Sequence, residues 1–124
     1  MSNTLDTLLN TVRQLRGPNG CDWDKAQTYQ TLIPYILEEG QELADGLKNN
    51  DIPNIKEELG DVLLHVVMIS LMAEEQGHFS IDDVIHTINE KMIRRHPHVF
   101  GDVKVSSIED IKRNWEAIKK AEKQ

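Results

Sequence analysis

Cysteine is nearly absent from this chain. Cys21 stands alone, so no intrachain disulfide can form, and the composition fits a reducing, cytoplasmic setting. No stretch alternates apolar and polar residues in the manner of a half-buried strand, which leaves an all-α class. Long hydrophobic runs are missing too. The longest, interrupted by His65 and Ser70, is too short to span a bilayer, and the polar N-terminus shows no signal peptide. Positive charge is scarce: 14 Lys and Arg against 21 Asp and Glu give a formal net charge of −7. That balance argues against a nucleic-acid polymer or an acidic membrane as partner, since both call for a broad basic face. A small anionic substrate stays open if a metal and a few local cations receive it. There is no phosphate-cradling glycine-rich loop, no Ser-His-Asp arrangement, no internal repeat and no sign of a second domain.

What is present is a series of helical patterns in 124 residues, enough for one compact domain. Leu5, Leu8, Leu9, Val12 and Leu15 predict a first amphipathic helix from Asn3 or Thr4 to the turn Gly17-Pro18-Asn19-Gly20. Residues Cys21 to Thr28 read as a loop, whose Trp23 is either a lid over a site or, more often for such a residue, an anchor onto the core. A second helix starts with a short turn after Thr28 and runs properly from Pro34, with Ile33, Ile36, Leu37, Leu43, Ala44 and Leu47 as its apolar face. A third has Pro53 in its first turn and continues to about Gln76. Gly40 and Gly60 interrupt these helices at a cost of up to about 1 kcal/mol each relative to Ala, which implies the close approach of a helix or a ligand. Ser80 and Asp83 mark the start of a fourth helix, which carries Val84, Ile85, Ile88 and Met92 inward. The run His96 to Gly101 reads as a loop without zinc spacing. A last helix begins near Ser107, with Ile108, Ile111, Trp115 and Ile118 on one face.

The acids are concentrated where two of these helices would meet. Glu38, Glu39 and Glu42 precede Asn49-Asn50-Asp51-Ile52-Pro53, and Glu58 and Asp61 follow it. With the turn centred near Asn50, Glu39 and Asp61 are equidistant from it, and so are Glu42 and Glu58. In an antiparallel helix pair, equal distance means equal height, so the carboxylates face one another across one seam. Two ionised carboxylates about 6 Å apart repel by roughly 3 kcal/mol at an effective dielectric of 20. A solvated acidic face would explain either pair alone. Glu58 and Asp61, however, introduce the apolar stretch through Val62, Leu63 and Leu64, and acid on a buried helix needs a partner. Oxygen-only ligands suit magnesium or manganese. His65 lies between the two acids one turn on, and is placed behind the ligands rather than among them. Lys91 and Arg95, four residues apart, share a face near a helix end, as do Trp115 and Lys119 on the last helix. Such cations either complement the helix dipole or receive an anion.

Three blocks together resemble the MazG nucleoside triphosphate pyrophosphohydrolases of the all-α pyrophosphatase superfamily. They are Cys21-Asp22-Trp23-Asp24 with Gln27-Thr28, the acids Glu38, Glu39 and Glu42 with Glu58 and Asp61, and Arg94-Arg95-His96-Pro97-His98-Val99-Phe100. The acidic pattern is shared with dimeric dUTPases and phosphoribosyl-ATP pyrophosphohydrolases; the last block makes MazG the specific match. The resemblance covers nearly the whole chain, 1–124, as one domain. It implies an intertwined helical homodimer, or a dimer of dimers, hydrolysing nucleoside triphosphates to the monophosphate and pyrophosphate. Glu39, Glu42, Glu58 and Asp61 would hold Mg2+, with Mn2+ as substitute, and Glu38 would assist as outer ligand or as base for water. Lys91, Arg94 and Arg95 would take the phosphate chain, while Trp115 and Lys119 border the nucleotide. Many family members carry two such domains in tandem, so the chain is either a single-domain enzyme or half of a longer protein. The alternative from another class is a non-catalytic helical dimerisation or regulatory module with a merely solvated acidic seam. A di-iron bundle would use Glu-x-x-His on two helices, whereas here His65 follows Asp61 by four residues with no matching second copy.

Overall fold

The computed structural model describes residues 4–123. They are helical, with no strand among them, and divide into two compact units on either side of the Ile81–Asp82 bond.

The first unit holds α1 (Thr4–Arg16), α2 (Asp22–Ala26), α3 (Tyr29–Lys48) and α4 (Ile52–Glu75). The alternative start of α1 at Asn3 lies outside the described residues. Its core joins Leu9 and Val12 of α1, Leu32 of α3, and Val67, Met68, Leu71 and Met72 of α4 to Ile81. These are aliphatic groups at helical spacing, so each helix presents one stripe to the others. Arg16 locks the arrangement from outside the core. Its Nε and Nη2 donate to Glu75 at 2.9 Å each, and its Nη1 donates to the Asp24 carbonyl, which ties α1 to α4 and to α2.

The α3–α4 hairpin positions everything of interest. Asn50 adopts a left-handed conformation, φ 52°, and lets the chain reverse. Asp51 N–H then reaches the Gly46 carbonyl at 3.1 Å and Asn50 N–H the Leu47 carbonyl at 3.2 Å, a Schellman closure of α3. Asp51 in turn caps α4 by accepting from the Asn54 N–H at 3.4 Å. The turn is therefore centred on Asn50, where the spacing of the acids places it. Close helix approach falls not at Gly40 or Gly60, where an added Cβ would meet nothing within 4 Å, but at buried Gly46. A Cβ there would lie 3.3 Å from Asn54 Nδ2 and 3.5 Å from Ile55 Cγ1.

Several local expectations are corrected. The segment after Cys21 is the short helix α2 rather than a loop. Trp23 is half exposed and meets the Tyr35 ring edge-on at 5.7 Å instead of entering the core. Helix α3 starts after Thr28 as expected, but it is regular from Tyr29 onward rather than only from Pro34. Thr28 and Thr31 form a reciprocal capping box (2.8 and 3.3 Å) that starts the helix early enough to carry Pro34 inside it. The apolar face assigned to α3 is largely wet: Leu37 is 69% exposed, and the side chain that enters the core is Leu32, at 1%.

The second unit comprises the rest of α5 (Ile81–Arg94), α6 (Pro97–Phe100) and α7 (Ile108–Glu122). Residues Pro97–Phe100, expected as loop, form one helical turn. Ser107 caps α7 by accepting from the Asp110 N–H at 3.2 Å. Beyond Ile81 no described side chain here is fully buried, and Ile85 and Ile88 face outward within this chain. Polar and aromatic contacts replace a core.

Candidate functional site

The helix period and the Asn50 turn bring four acids into one group. Glu39 and Glu42 of α3 and Glu58 and Asp61 of α4 each offer a carboxylate oxygen, and these oxygens all lie within 4.8 Å of one another. Glu58 is buried, the other three are half-buried, and Glu38 stands exposed beside them and outside the group. One oxygen of Glu39 and one of Glu58 are sealed from solvent without a hydrogen-bond partner. No salt bridge among the described residues reaches the four. Burial, then the facing Glu58 carboxyl and the charges of Asp61 and Glu42, push Glu39 up to about 7. Glu58 also lies above its ordinary value. Burial is the main cause; the Glu39 carboxyl opposes it, and Glu42 and Asp61 add to it. Massed carboxylate oxygens with sealed, donorless lone pairs match what a hard divalent cation requires. His65 is half-buried one turn along α4.

In the second unit the expected cations are gathered differently. Arg95 Nη2 meets Glu122 at 2.8 Å, and Arg94 Nε pairs with the same carboxylate. The Arg95 guanidinium lies over the Trp115 ring, 5.1 Å from its centroid, and the His96 ring meets that indole edge-on at 5.2 Å. His96 is fixed from behind by Nδ1 donating to the Met92 carbonyl at 2.6 Å. Arg95 Nε and His98 Nδ1 are sealed without partners. Trp115 lines an open hollow of about 460 Å³ with Ile111, Lys112 and Glu116. Lys119 lines another, of about 390 Å³, with Lys120 and Lys123. Lys91 is half-buried on α5 and joins no salt bridge among the described residues. Glu122 was not singled out from the sequence. It lies 27 positions beyond Arg95, too far for any local spacing to betray the pair.

Residues 27–100 match the family model of the MazG nucleotide pyrophosphohydrolase domain. The chain belongs to the MazG family. It is 48% identical over 118 residues to the nucleoside triphosphate pyrophosphohydrolase/pyrophosphatase MazG of Thermotoga maritima, covering 95% of this chain and 45% of that protein. It is 43% identical over 122 residues to the nucleoside triphosphate pyrophosphohydrolase of Escherichia coli K12, covering 98% and 46%. A Bacillus subtilis relative, the uncharacterized protein YabN, is 55% identical over 94% of this chain and 24% of its own length. The chain thus spans less than half the length of these curated relatives. Among solved structures, the mazG-related protein from Thermotoga maritima superposes with a TM-score of 0.74 at 29% identity, over 93% of this chain and 98% of that one. The MazG match spans both α3–α4 acid pairs and the Arg94–Phe100 block. Trp115, Lys119 and Glu122 lie beyond it.

Proposed function

We propose that this MazG domain hydrolyses nucleoside triphosphates to nucleoside monophosphate and pyrophosphate with Mg2+, for which Mn2+ can substitute. The observation that carries the proposal is the group of four carboxylates on α3 and α4, with two sealed oxygens that no protein donor serves. Glu39, Glu42, Glu58 and Asp61 would hold the metal, which when bound supplies Lewis-acid polarisation of phosphoryl oxygens and a more acidic water. The protein's part is to keep the four oxygens preassembled on two rigid helices, so that little order must be created on binding. Glu39, held protonated up to about 7, would give up its proton to serve as a ligand. Glu38, exposed beside the group, is the candidate to accept a proton from the attacking water. Arg94, Arg95 and Lys91 are the candidates for the phosphate chain, because guanidinium forks and an ammonium match its oxygens. Trp115 and Lys119 are the candidates to border the nucleotide. The names of the Thermotoga and Escherichia relatives support the reaction class.

The working unit under this reading is a homodimer or a pair of dimers. Leu37, Leu47, Leu59 and Leu63 are exposed along α3 and α4, and each large apolar side chain left wet forgoes roughly 1.5–3 kcal/mol of burial. A closed two-fold pairing is the commonest way to cover such a face. Sedimentation at low micromolar concentration should give two or four times the 14.2 kDa chain mass; a folded monomer would remove the dimer from the proposal. The reaction itself is tested with a panel of nucleoside triphosphates and magnesium, assayed for pyrophosphate against orthophosphate. Diphosphate and orthophosphate as products would overturn it. No helix in the described residues is long and apolar enough to cross a membrane.

A further inference from the structure

Glu122 ends α7 and holds both arginines of the Arg94–Arg95 pair at once. Its carboxylate is held down to about 2, first by the Arg95 hydrogen bond and then by that of Arg94, so it is charged at any physiological pH. Arg95 is meanwhile only 13% exposed, stacked on Trp115, and keeps a sealed Nε donor without an acceptor. A single carboxylate therefore serves this guanidinium incompletely. Tethering it at the last helical residue makes it easy to displace, because terminal helical turns open at little cost. No buried side chain in α7 resists that opening, and Lys119, Lys120 and Lys123 share the same end of the helix.

The geometry points to Glu122 as an intramolecular stand-in for a polyphosphate anion. It occupies Arg94 and Arg95 in the unliganded protein and gives way to a phosphate chain, setting the affinity of that site through the two arginines. This rests on the reading of Arg94 and Arg95 as phosphate-binding groups, and adds a positioning residue to it. A polyphosphate offers several charged oxygens in place of two, so it more than replaces the lost pairs. Each partly exposed ion pair is worth little by itself, which makes the competitor removable and its effect modest.

The test is calorimetric titration of inorganic tripolyphosphate into metal-free protein, comparing the unaltered chain with Glu122→Gln and Arg95→Ala. Glu122→Gln should bind about three- to tenfold tighter, since removing two partly exposed ion pairs frees both arginines. Its KM for a nucleoside triphosphate should fall in step, without a rise in kcat. Arg95→Ala should bind more weakly. Loss of one negative charge by itself would tighten binding as much in Glu116→Gln, on the same helix, so the stand-in requires a clearly larger gain in Glu122→Gln; equal gains refute it. If Arg95→Ala weakens binding but Glu122→Gln leaves it unchanged or weaker, the stand-in is refuted while the phosphate role of Arg95 survives. If Arg95→Ala has no effect, both fall together. Should Glu122→Gln disturb α7, Glu122→Asp keeps the charge on a shorter arm. It must then bind tripolyphosphate more tightly than the unaltered chain; equal or weaker binding refutes the stand-in.

Discussion

On α3 and α4, four carboxylates stand within reach of one another and no described cation meets them; at the ends of α5 and α7, one carboxylate meets two guanidiniums. The same electrostatics drives the two regions in opposite directions. Crowding and burial push Glu39 up to about 7, whereas the arginines hold Glu122 down to about 2. The first region is a frustrated arrangement that a bound cation would relieve. The second sets one carboxylate against two guanidiniums and keeps a positive charge in excess.

The comparison breaks most completely at the acids. Glu42→Gln or Asp61→Asn should lower magnesium-dependent turnover by more than about a hundredfold, since even groups behind a metal's ligands cost 10–100-fold when removed. Calorimetry in chelator should show the same variants melting no lower than the unaltered chain, because each substitution removes charge from a repelling group. Turnover at the original rate would move the site elsewhere. A smaller effect is expected at the other pole. Arg95→Ala should raise KM for the triphosphate by about tenfold, the usual scale for a hydrogen bond to a charged group. Magnesium-dependent thermal stabilisation should stay as it was, because Arg95 is not among the four acids. Loss of that stabilisation would show that the guanidinium supports the acidic group.

The mildest test sharpens the contrast through pH. Folded protein keeps a proton on Glu39 up to about pH 7, while the unfolded chain gives it up near the ordinary 4.5. The folded state binds more protons between those values, so the contribution of Glu39 is full below pH 4.5 and is lost as pH rises towards 7. Glu122 has the reverse sign: its contribution is full above pH 4.5 and is lost as pH falls towards 2. Melting curves of metal-free protein should therefore decline from about pH 4.5 to 7, and Glu39→Gln should flatten that decline. A slope unchanged in Glu39→Gln would assign the proton to another member of the group.

The sequence by itself determined the helical hairpin and the meeting of its acids. An α-helix has a fixed period, the Asn49-Asn50-Asp51 turn has a readable chemistry, and equal counts on either side of Asn50 bring Glu39 level with Asp61 and Glu42 level with Glu58. These are one-dimensional facts that survive folding unchanged. The motif run Arg94 to Phe100 was legible in the same way, and so was the Ser107 cap. Tertiary structure alone decided what the local pattern leaves degenerate. Leu32 and Leu37 are equally apolar, yet only Leu32 meets α1 and α4, because burial depends on which neighbours arrive. Pro34 looks like the start of the regular helix until the Thr28–Thr31 capping box, whose N-cap lies six residues earlier, claims that role. Trp23 turned to Tyr35 rather than to the core. Glu122, in a charged helical end like many others, gained its two arginines only because the chain between them folds back. Periodicity along one element can be read from spacing; a partner supplied by another element, 27 residues away, cannot.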